Sequence, residues 1–361
     1  MAPLREIAST DAGFSAGSYI YKVISTSARQ DPLTYSLTDQ LALISSDDSL
    51  RFLTADLKSD GHIAKAHDNI TCLERANDAA SNVVATAGRD GMIRFWDKRS
   101  KQKVLETESP HKLISALVCN ASTNFIAAGI ENPEDGPNSS PVYIWDQRNT
   151  STPLRSYIDS HTDTVTNLSL HPSHPSLLLS SSTDGLLNLF DTTQADEDDA
   201  LYQVINHGSA IAHAGFLYPG TDMYAIGTDE TVSFYSLQSQ KEDEEEPAPK
   251  VCGDVREVLG CDEKNVELIP VTKGTNGPLD YGFDLGNRTS LPGAHGDDIV
   301  RDLFTDVHTH TTYTCGEDGK VRAWKAEDGA AEMDVDEVAT ASSKKKRKEK
   351  KEKEKARFKP Y

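Results

Sequence analysis

The stretch ATAGRDGMIRFWD, residues 85–97, contains an Asp-Gly pair between two β-prone runs and ends in Trp-Asp. Each run alternates apolar and other residues, and the Asp-Gly pair interrupts the alternation, which is typical of a β-hairpin. Asp90 could therefore be a catalytic acid or a turn residue. A stretch that occurs once would favour catalysis, whereas a stretch that recurs would favour architecture.

The pattern recurs along the chain. In each copy an Asp stands six residues before an aromatic residue or its substitute, and the copies are LSSSTDGLLNLFD (179–191), YTCGEDGKVRAW (313–324), ISSDDSLRFLT (44–54) and AIGTDETVSFYS (225–236). A further segment, AAGIENPEDGPNSSPVYIWD (127–146), also ends in Trp-Asp but has a long insertion in its turn. In three copies a histidine precedes the aromatic residue by 29 positions. This repetition indicates that Asp90 is structural.

A repeat of about 40 residues with about four strands predicts a β-propeller. We expect an all-β, seven-bladed propeller at residues 17–326, between a flexible N-terminus (1–16) and a disordered tail (327–361) that is acidic and then basic. The expected blades are 31–58, 62–99, 111–148, 161–193, 207–237, 251–291 and 295–326. The sixth unit lacks the Asp-turn pattern, so six blades plus an irregular insert is the alternative. YIYKVIST (19–26) is the expected strand that completes the last blade.

The repeats resemble those of the WD-repeat family, in which His, Ser or Thr, Asp and Trp form a buried hydrogen-bonded tetrad. The resemblance implies two complete tetrads, which are His67, Thr86, Asp90 and Trp96, and His295, Thr314, Asp318 and Trp324. A third set, His161, Ser180 and Asp184, has Phe190 where tryptophan would donate. Because buried polar groups need partners, the missing donor should leave that blade less rigid.

Residues 161–201 are also similar to a blade of the family of WD repeat-containing protein 89. The similarity lies in a His-Pro-Ser-x-Pro turn, an STDG turn and an acidic segment that ends in Asp-Ala-Leu. DVREVL (254–259) and two Trp-Asp-x-Arg segments fit the same family. The resemblance covers most of residues 31–326, is strongest in 80–201, and fails in 262–292 and at the lysine-rich end.

Composition and motifs argue against several functional classes. The five cysteines are scattered and never spaced C-x-x-C, which indicates reduced thiols rather than a disulfide framework or a zinc site. The chain contains no P-loop, H-E-x-x-H or G-x-S-x-G motif, so we expect no enzyme, cofactor or small-molecule substrate. No apolar run reaches about 18 residues, so we expect no membrane span. HTHTTY offers His308 and His310 on an expected surface strand, but no third metal ligand.

The charge divides the chain into two parts. Its formal net charge is −20, yet residues 344–361 hold nine Lys and two Arg against three Glu. This terminal segment therefore carries +8 and the preceding 343 residues carry −28. A body that acidic repels nucleic acids and anionic membranes and attracts basic proteins.

In a propeller, the loops before the first strand of each blade and the turns between its second and third strands meet on one face. Asp68, Asp163, Asp297 and Asp298 are expected in the first kind of loop, and Asp47 and Glu317 in the second. Six carboxylates there would attract a Lys/Arg-rich protein by steering and charge-assisted hydrogen bonds. The alternative is acidity for solubility alone. The acidic runs at 196–199, 241–247 and 327–338 are expected to be either flexible arms for the same client or solvated linkers.

Two further features point to other partners. Trp96-Asp97-Lys98-Arg99 and Trp145-Asp146-Gln147-Arg148 resemble the docking motif of substrate receptors in cullin-RING ubiquitin ligases, with Arg99 and Arg148 as anchors. In the tail, the run Lys344, Lys345, Lys346, Arg347 and Lys348 is typical of a nuclear localisation signal or a nucleic-acid patch.

The sequence thus favours a non-enzymatic scaffold in the nucleus that escorts a basic protein, either a ribosomal protein or a histone. Nucleolar and cytoplasmic fractions are compatible with this interpretation, and RNA contact is expected through the tail only. The main alternative is a ubiquitin-ligase substrate receptor that binds its adaptor through Arg99 and Arg148. A non-catalytic subunit of an RNA-modifying enzyme is a third hypothesis, and it rests on the basic tail alone.

Overall fold

The computed structural model describes residues 3–27, 38–76, 82–133, 136–217, 222–239, 247–260 and 265–326. Within these ranges the chain forms six four-stranded antiparallel sheets and two two-stranded sheets. The all-β class is therefore confirmed, and no described helix is long and apolar enough to cross a membrane.

The strands follow one another around the propeller. The chain begins with β1 (Leu4–Thr10), and the first blade then contains β2 (Ile20–Ser25), β3 (Gln40–Ser45), β4 (Leu50–Thr54) and β5 (Ser59–Ile63). The second blade contains β6 (Ile70–Arg75), β7 (Val83–Gly88), β8 (Met92–Asp97) and β9 (Lys103–Glu108). The third contains β10 (Ile114–Asn120), β11 (Phe125–Ile130), β12 (Val142–Asp146) and β13 (Arg155–Tyr157), with a short 3₁₀ turn at Ala121–Thr123.

The remaining blades include two short helices. The fourth blade contains β14 (Val165–Leu170), β15 (Leu177–Ser182) and β16 (Leu186–Asp191), then α1 (Glu197–Ala200) and β17 (Leu201–Asn206). The fifth contains β18 (Ile211–Leu217), β19 (Asp222–Gly227), β20 (Thr231–Ser236) and β21 (Lys250–Asp254). The insert that follows contains α2 (Val255–Leu259), β22 (Asn265–Leu268), β23 (Val271–Lys273), β24 (Tyr281–Phe283), a 3₁₀ turn at Leu285–Asn287 and β25 (Thr289–Pro292). The sixth blade contains β26 (Val300–Asp306), β27 (Thr311–Gly316) and β28 (Val321–Ala326).

The prediction of seven blades is wrong, and the alternative of six blades plus an insert is confirmed. Lys250–Asp254, expected in a separate blade, is the fourth strand of the fifth blade and pairs with β20. The insert forms two separate pairs, β22 with β25 and β23 with β24. Its strands are only three or four residues long. Pro270 lies between β22 and β23, and Pro278 lies in the Gly-containing turn between β23 and β24. Neither proline can donate a ladder hydrogen bond, so both limit the strands beside them.

The strand that completes the last blade is not YIYKVIST. The order of the sixth blade is β1-β28-β27-β26, so the N-terminal β1 completes it. This also corrects the expectation of a flexible N-terminus at 1–16. YIYKVIST instead supplies β2, the first strand of the first blade, which pairs with β3. The burial pattern explains the arrangement: Ile20 and Val23 of β2 are buried in the core, whereas β1 alternates exposed and half-buried residues as an outer strand does.

The core lies between neighbouring blades. Apolar clusters join adjacent sheets, as where Phe95 of the second blade and Trp145 of the third belong to one buried group. The first strands of the blades contact each other in the order β26, β2, β6, β10, β14 and β18. In the insert, Tyr281 packs with Phe234 of the fifth blade, and Leu291 packs with Trp324 of the sixth. The insert thus contacts both of the blades that precede and follow it in sequence.

Strand direction defines two faces. We call upper the face that carries the loops before each first strand and the turns between second and third strands, and lower the face that carries the other loops. Gly319, in the upper turn of the sixth blade, has a φ of +68°, and a Cβ there would lie 2.6 Å from the backbone oxygen of Ser18. The upper loops of the sixth and first blades are therefore in direct contact.

We expect Gly319→Ala to lower the free energy of unfolding by more than the roughly 1 kcal/mol typical of an unfavourable positive φ, because the methyl group would also strike the Ser18 carbonyl. Chemical denaturation measures this. The matched control is Gly208→Ala, at a φ of +90° with no atom within 4 Å of the added carbon. Equal losses in the two variants would contradict the contact.

Candidate functional site

The first predicted tetrad is brought together on the second blade. His67 and Thr86 are buried, and Trp96 is 7% exposed. The indole N–H of Trp96 donates to Thr86 Oγ1 at 2.8 Å, and Thr86 Oγ1 lies 2.7 Å from His67 Nε2. His67 Nδ1 lies 3.0 Å from Asp90 Oδ1. Because the carboxylate can only accept, Nδ1 carries the proton, and the threonine hydroxyl then donates to Nε2.

The second predicted tetrad has the same geometry on the sixth blade. His295 Nδ1 donates to Asp318 Oδ1 at 2.7 Å, and its Nε2 lies 2.8 Å from Thr314 Oγ1. The indole N–H of Trp324 donates to Thr314 Oγ1 at 2.9 Å. Each chain of hydrogen bonds ties an upper loop to the second and third strands of its own blade and to the turn between them. All eight residues are thus engaged in hydrogen bonds within their own blades.

The partial set on the fourth blade keeps the histidine contacts. His161 Nδ1 lies 3.0 Å from Asp184 Oδ2, and Nε2 lies 2.7 Å from Ser180 Oγ. Phe190 is fully buried and stacks on Tyr157 of the third blade, with ring centroids 4.5 Å apart. The blade therefore replaces the tryptophan hydrogen bond with an aromatic contact to its neighbour.

The tetrads shift the pKa values of their members. Burial lowers the pKa of His67 and His295 below the ordinary value, although the facing carboxylates act in the opposite direction. For Asp90, burial acts to raise the pKa, but hydrogen bonds from His67 and Arg94 outweigh it and hold the pKa below 3.8. The histidines are thus held neutral and the carboxyl groups ionised.

These directions predict a loss of stability on acidification. Since the histidine pKa values are lower in the folded state, the unfolded chain binds protons more readily, and the free energy of unfolding falls as the pH drops below about 6.5. The lowered Asp90 and Asp318 pKa values add a second loss below about 3.8. Between about pH 7 and pH 5, the thermal unfolding temperature of the wild type should fall more steeply than that of a variant with both His67→Gln and His295→Gln. Identical slopes would contradict the assignment.

Asp47 is a turn residue rather than a member of an acidic surface. It accepts a hydrogen bond from the Ser49 amide at 3.0 Å and pairs with Arg51 at 3.2 Å, as Asp90 does with Met92 and Arg94. Asp48, which the spacing of six residues aligned with Asp90, has a φ of 63° and stands where the turns of the second, fourth and sixth blades have glycine. The copy at 44–54 was therefore misaligned by one residue, because Asn and Asp tolerate this conformation and hide the missing glycine.

Two more of the six predicted carboxylates have cationic partners. Asp68 pairs with Lys65 at 2.7 Å on the exposed loop before β6. Glu317 forms an ion pair with Arg301 of β26. Each pair reduces the negative potential of the upper face, although exposed pairs of this kind exchange readily with other partners.

Asp163, Asp297 and Asp298 are the predicted carboxylates that remain on the upper face. Asp297 and Asp298 are exposed on the loop before β26, and Asp163 is half-buried on the loop before β14. Asp163 accepts a hydrogen bond from the Thr164 amide at 2.7 Å. Within the described parts of the chain none of the three has an ion-pair partner, so they can accept charged hydrogen bonds from another molecule.

The lower face carries both predicted docking arginines. Arg99 and Arg148 follow β8 and β12, and both side chains are exposed. Arg148 is 74% exposed and forms a fork with Asp146 of its own motif, with Nε donating to Oδ1 at 2.9 Å. Hydrogen bonds from Arg148 lower the pKa of Asp146 to about 2. The Arg99 amide donates to Asp97 at 3.0 Å.

The acidic run at 196–199 is ordered rather than flexible. Asp196 caps α1, and Glu197 accepts hydrogen bonds from the amides of Ile158 and Asp159 at 2.6 and 3.0 Å. The carboxylate thereby fixes the chain between the third and fourth blades. Four like charges were an unreliable indicator of disorder here, because a capping position and unpaired amides supplied donors for two of them.

His308 and His310 lie in the turn between β26 and β27, not on a strand face as expected. In the described ranges there is no group of three or more His, Cys, Asp or Glu residues that could hold a metal ion. The acidic segments at 241–246 and 327–338 and the basic run Lys344–Lys348 lie outside the described residues.

Sequence reasoning missed three exposed apolar side chains on the upper face. Tyr19 is 44% exposed, Tyr21 38% and Ile299 57%. Tyr19 and Tyr21 belong to the segment that was expected at the outside of the last blade. Only the contact between β2 and β26, the first strands of neighbouring blades, shows that all three lie on neighbouring parts of the face.

Comparisons with known proteins agree with this architecture. A family model described as WD domain, G-beta repeat matches residues 58–97 and 151–191. An uncharacterised WD repeat-containing protein of Saccharomyces cerevisiae is 36% identical over 270 residues, which span 71% of this chain and 67% of that protein. WD repeat-containing protein GTS1 of Arabidopsis thaliana is 29% identical over 297 residues, 74% of each chain. The WD repeat-containing protein 89 homolog of Dictyostelium discoideum is 24% identical over 258 residues, 68% of each chain.

Proposed function

Because the chain belongs to the family of WD-repeat proteins, we propose that it is a non-enzymatic interaction scaffold that escorts a basic protein. The client class is a ribosomal protein or a histone, whose Lys- and Arg-rich segments need shielding before assembly. The family alone supports interaction rather than a particular partner, since propellers have many functions.

The observation that carries this proposal is the exposure of Asp297 and Asp298, together with Asp163, on the upper face of a strongly acidic body. Carboxylates that pair with cations of their own chain, such as Glu317, contribute little to a field that reaches a partner. The three unpaired carboxylates add to a body whose first 343 residues carry −28. Such a surface speeds the encounter with a cationic protein and repels anionic ones.

The proposal includes a nuclear location. It rests on the basic run Lys344–Lys348, which follows an otherwise acidic chain. Fluorescence microscopy of the full chain and of a chain with these five residues changed to Ala would test it. An unchanged distribution would contradict a localisation role for this run.

The direct experiment on function is affinity purification of the full chain followed by mass spectrometry, at low and at raised salt. Exposed charge pairs weaken as salt screens them. A basic protein recovered at low salt and lost at raised salt is the expected result. Recovery of only acidic or neutral partners would contradict the escort proposal.

A second candidate function is a ubiquitin-ligase substrate receptor. The observation in its favour is that both arginines of the Trp-Asp-x-Arg segments are exposed on the lower face, away from the acidic loops. An adaptor that binds the Arg148 side chain must replace the carboxylate of Asp146. Arg99 contacts Asp97 through its backbone amide, so binding of its side chain needs no such exchange.

Changing Arg99 and Arg148 to Ala is therefore expected to release any cullin-RING adaptor and to leave a basic client bound. Co-purification of the adaptor with the wild type and the double variant measures this. Lys58→Ala with Lys103→Ala is a control that removes the same charge from exposed side chains elsewhere. An adaptor retained equally by all three proteins would eliminate the receptor hypothesis.

A further inference from the structure

Each of the six blades has two equivalent positions near the upper end of its first strand. The pairing of first and second strands is irregular near the upper end of each blade, and the residues skipped are Tyr21, Thr71, Ser115, Thr166, Ala212 and Arg301. Two positions earlier, a backbone oxygen accepts a hydrogen bond from the upper turn, and these residues are Tyr19, Asn69, Leu113, Thr164, Ala210 and Ile299. Bulges redirect the side chains that they carry.

Exposed large apolar groups occupy these positions in two adjacent blades. Tyr19, Tyr21 and Ile299, which we call the apolar sector, belong to the first and sixth blades. The fourth and fifth blades have only Thr and Ala at the equivalent positions. The contact of Gly319 with Ser18 joins the loops on which the sector lies. Because β2 and β26 are also in contact, the three side chains lie on neighbouring parts of the upper face.

The carboxylates next to the apolar sector are unpaired, whereas two of its neighbouring cations are paired. Asp297 and Asp298 are exposed directly before Ile299 in sequence. The nearby cations are already engaged, because Arg301 pairs with Glu317 and Lys22 pairs with Glu74 at 2.5 Å. A molecule that reaches the apolar sector thus meets two carboxylates for which the described residues provide no ion-pair partner, and Lys320, which follows Gly319, is the exposed cation beside them.

We propose that the apolar sector, with Asp297 and Asp298, is a docking site for an extended partner segment in which apolar side chains alternate with Lys or Arg. This inference rests on the proposed function and narrows the client to a basic protein with such a segment. In an extended segment alternate side chains point to opposite sides. The apolar side chains on one side can then pack on the tyrosines, and the long Lys or Arg side chains on the other side can extend past the edge of the segment to the carboxylates. A purely basic segment would leave the apolar surface uncovered, and a purely apolar one would desolvate the two carboxylates without partners.

The test uses two fluorescent peptides of equal length and equal positive charge, in which Lys alternates with Leu or with Ser. Binding to the full chain is measured by fluorescence anisotropy at low salt. The sector variant carries Tyr19→Ala, Tyr21→Ala and Ile299→Ala. The control carries Val104→Ala, Val204→Ala and Val251→Ala, which remove side chains of similar exposure, 56%, 51% and 65%, from outer strands.

The wild type and the control are expected to bind the Lys/Leu peptide about tenfold more tightly than the Lys/Ser peptide, because central apolar anchors dominate such interfaces. The sector variant should lose this preference and still bind the Lys/Ser peptide. The single variant Tyr21→Arg, which places a repelling charge on an exposed position, should show the same loss if the triple variant proves unfolded.

Two results would overturn the inference. If the wild type binds both peptides equally, or if its preference survives in a folded sector variant, the apolar sector is not the site, while the acidic scaffold of the proposed function remains supported. If neither peptide binds at low salt, the proposed function fails as well.

Discussion

Replacing Asp90 with alanine is expected to lower the free energy of unfolding by about 2–3 kcal/mol, because a buried donor that loses its acceptor costs about 1–3 kcal/mol and an ion pair is lost in addition. The Nδ1–H of buried His67 would lose its acceptor, and Arg94 would lose a carboxylate that lies 2.8 Å from its guanidinium. A loss of this size is a large part of the stability of a typical domain. Urea denaturation followed by circular dichroism measures it.

The matched control is Asp229→Ala, at the corresponding turn of the fifth blade. Asp229 is exposed and accepts hydrogen bonds from Thr231 and Ser209 rather than from a histidine. His207 of that blade contacts Tyr235 and Thr231 instead. We therefore expect a much smaller loss. Similar losses for Asp90 and Asp229 would mean that the turn, and not the tetrad, stabilises the blades.

Changing Asp163, Asp297 and Asp298 to Lys is expected to weaken binding of a basic protein by about a hundredfold at low salt. Each change replaces an attraction by a repulsion, and exposed charge pairs are worth up to about 1 kcal/mol each. Core histones serve as the probe, and isothermal titration calorimetry at two salt concentrations gives the dissociation constants. The difference between wild type and variant should shrink as salt increases.

The control for this variant makes the same change in net charge on segments between third and fourth strands. Asp56, Asp198 and Asp199 are exposed there, and changing them to Lys should reduce binding only slightly. If the two triple variants weaken binding equally, the client responds to net charge and not to the upper face. Thermal unfolding of both variants confirms that neither has lost its fold.

The fold could be predicted from the sequence where the repeats contain the same hydrogen-bonding residues. His67, Asp90 and Trp96, and their counterparts on the sixth blade, occur at fixed spacings because four groups must meet in one hydrogen-bonded chain. The prediction failed where a residue other than glycine adopted a positive φ in the turn. Asp48 adopts the positive φ for which Gly91 is used elsewhere, and this shifted the first blade by one residue.

Strand partners that are distant in sequence were the other source of error. β1 and β2 are both short and β-prone, and nothing local in β1 shows that it pairs with β28 across the whole length of the chain. For the same reason the sequence could place single carboxylates on a face but could not show which had partners. Arg301, which neutralises Glu317, lies 16 residues away on another strand. The apolar sector likewise depends on the adjacency of β2 and β26.

Carbodiimide cross-linking of the purified complex, which couples carboxylates of the chain to lysines of the basic client, tests whether the upper face binds the client. Mass spectrometry then identifies the coupled residues. We expect intermolecular cross-links at Asp163, Asp297 and Asp298 on the upper face. Cross-links confined to Asp56, Asp198 and Asp199, or to the acidic segments 241–246 and 327–338, would contradict it.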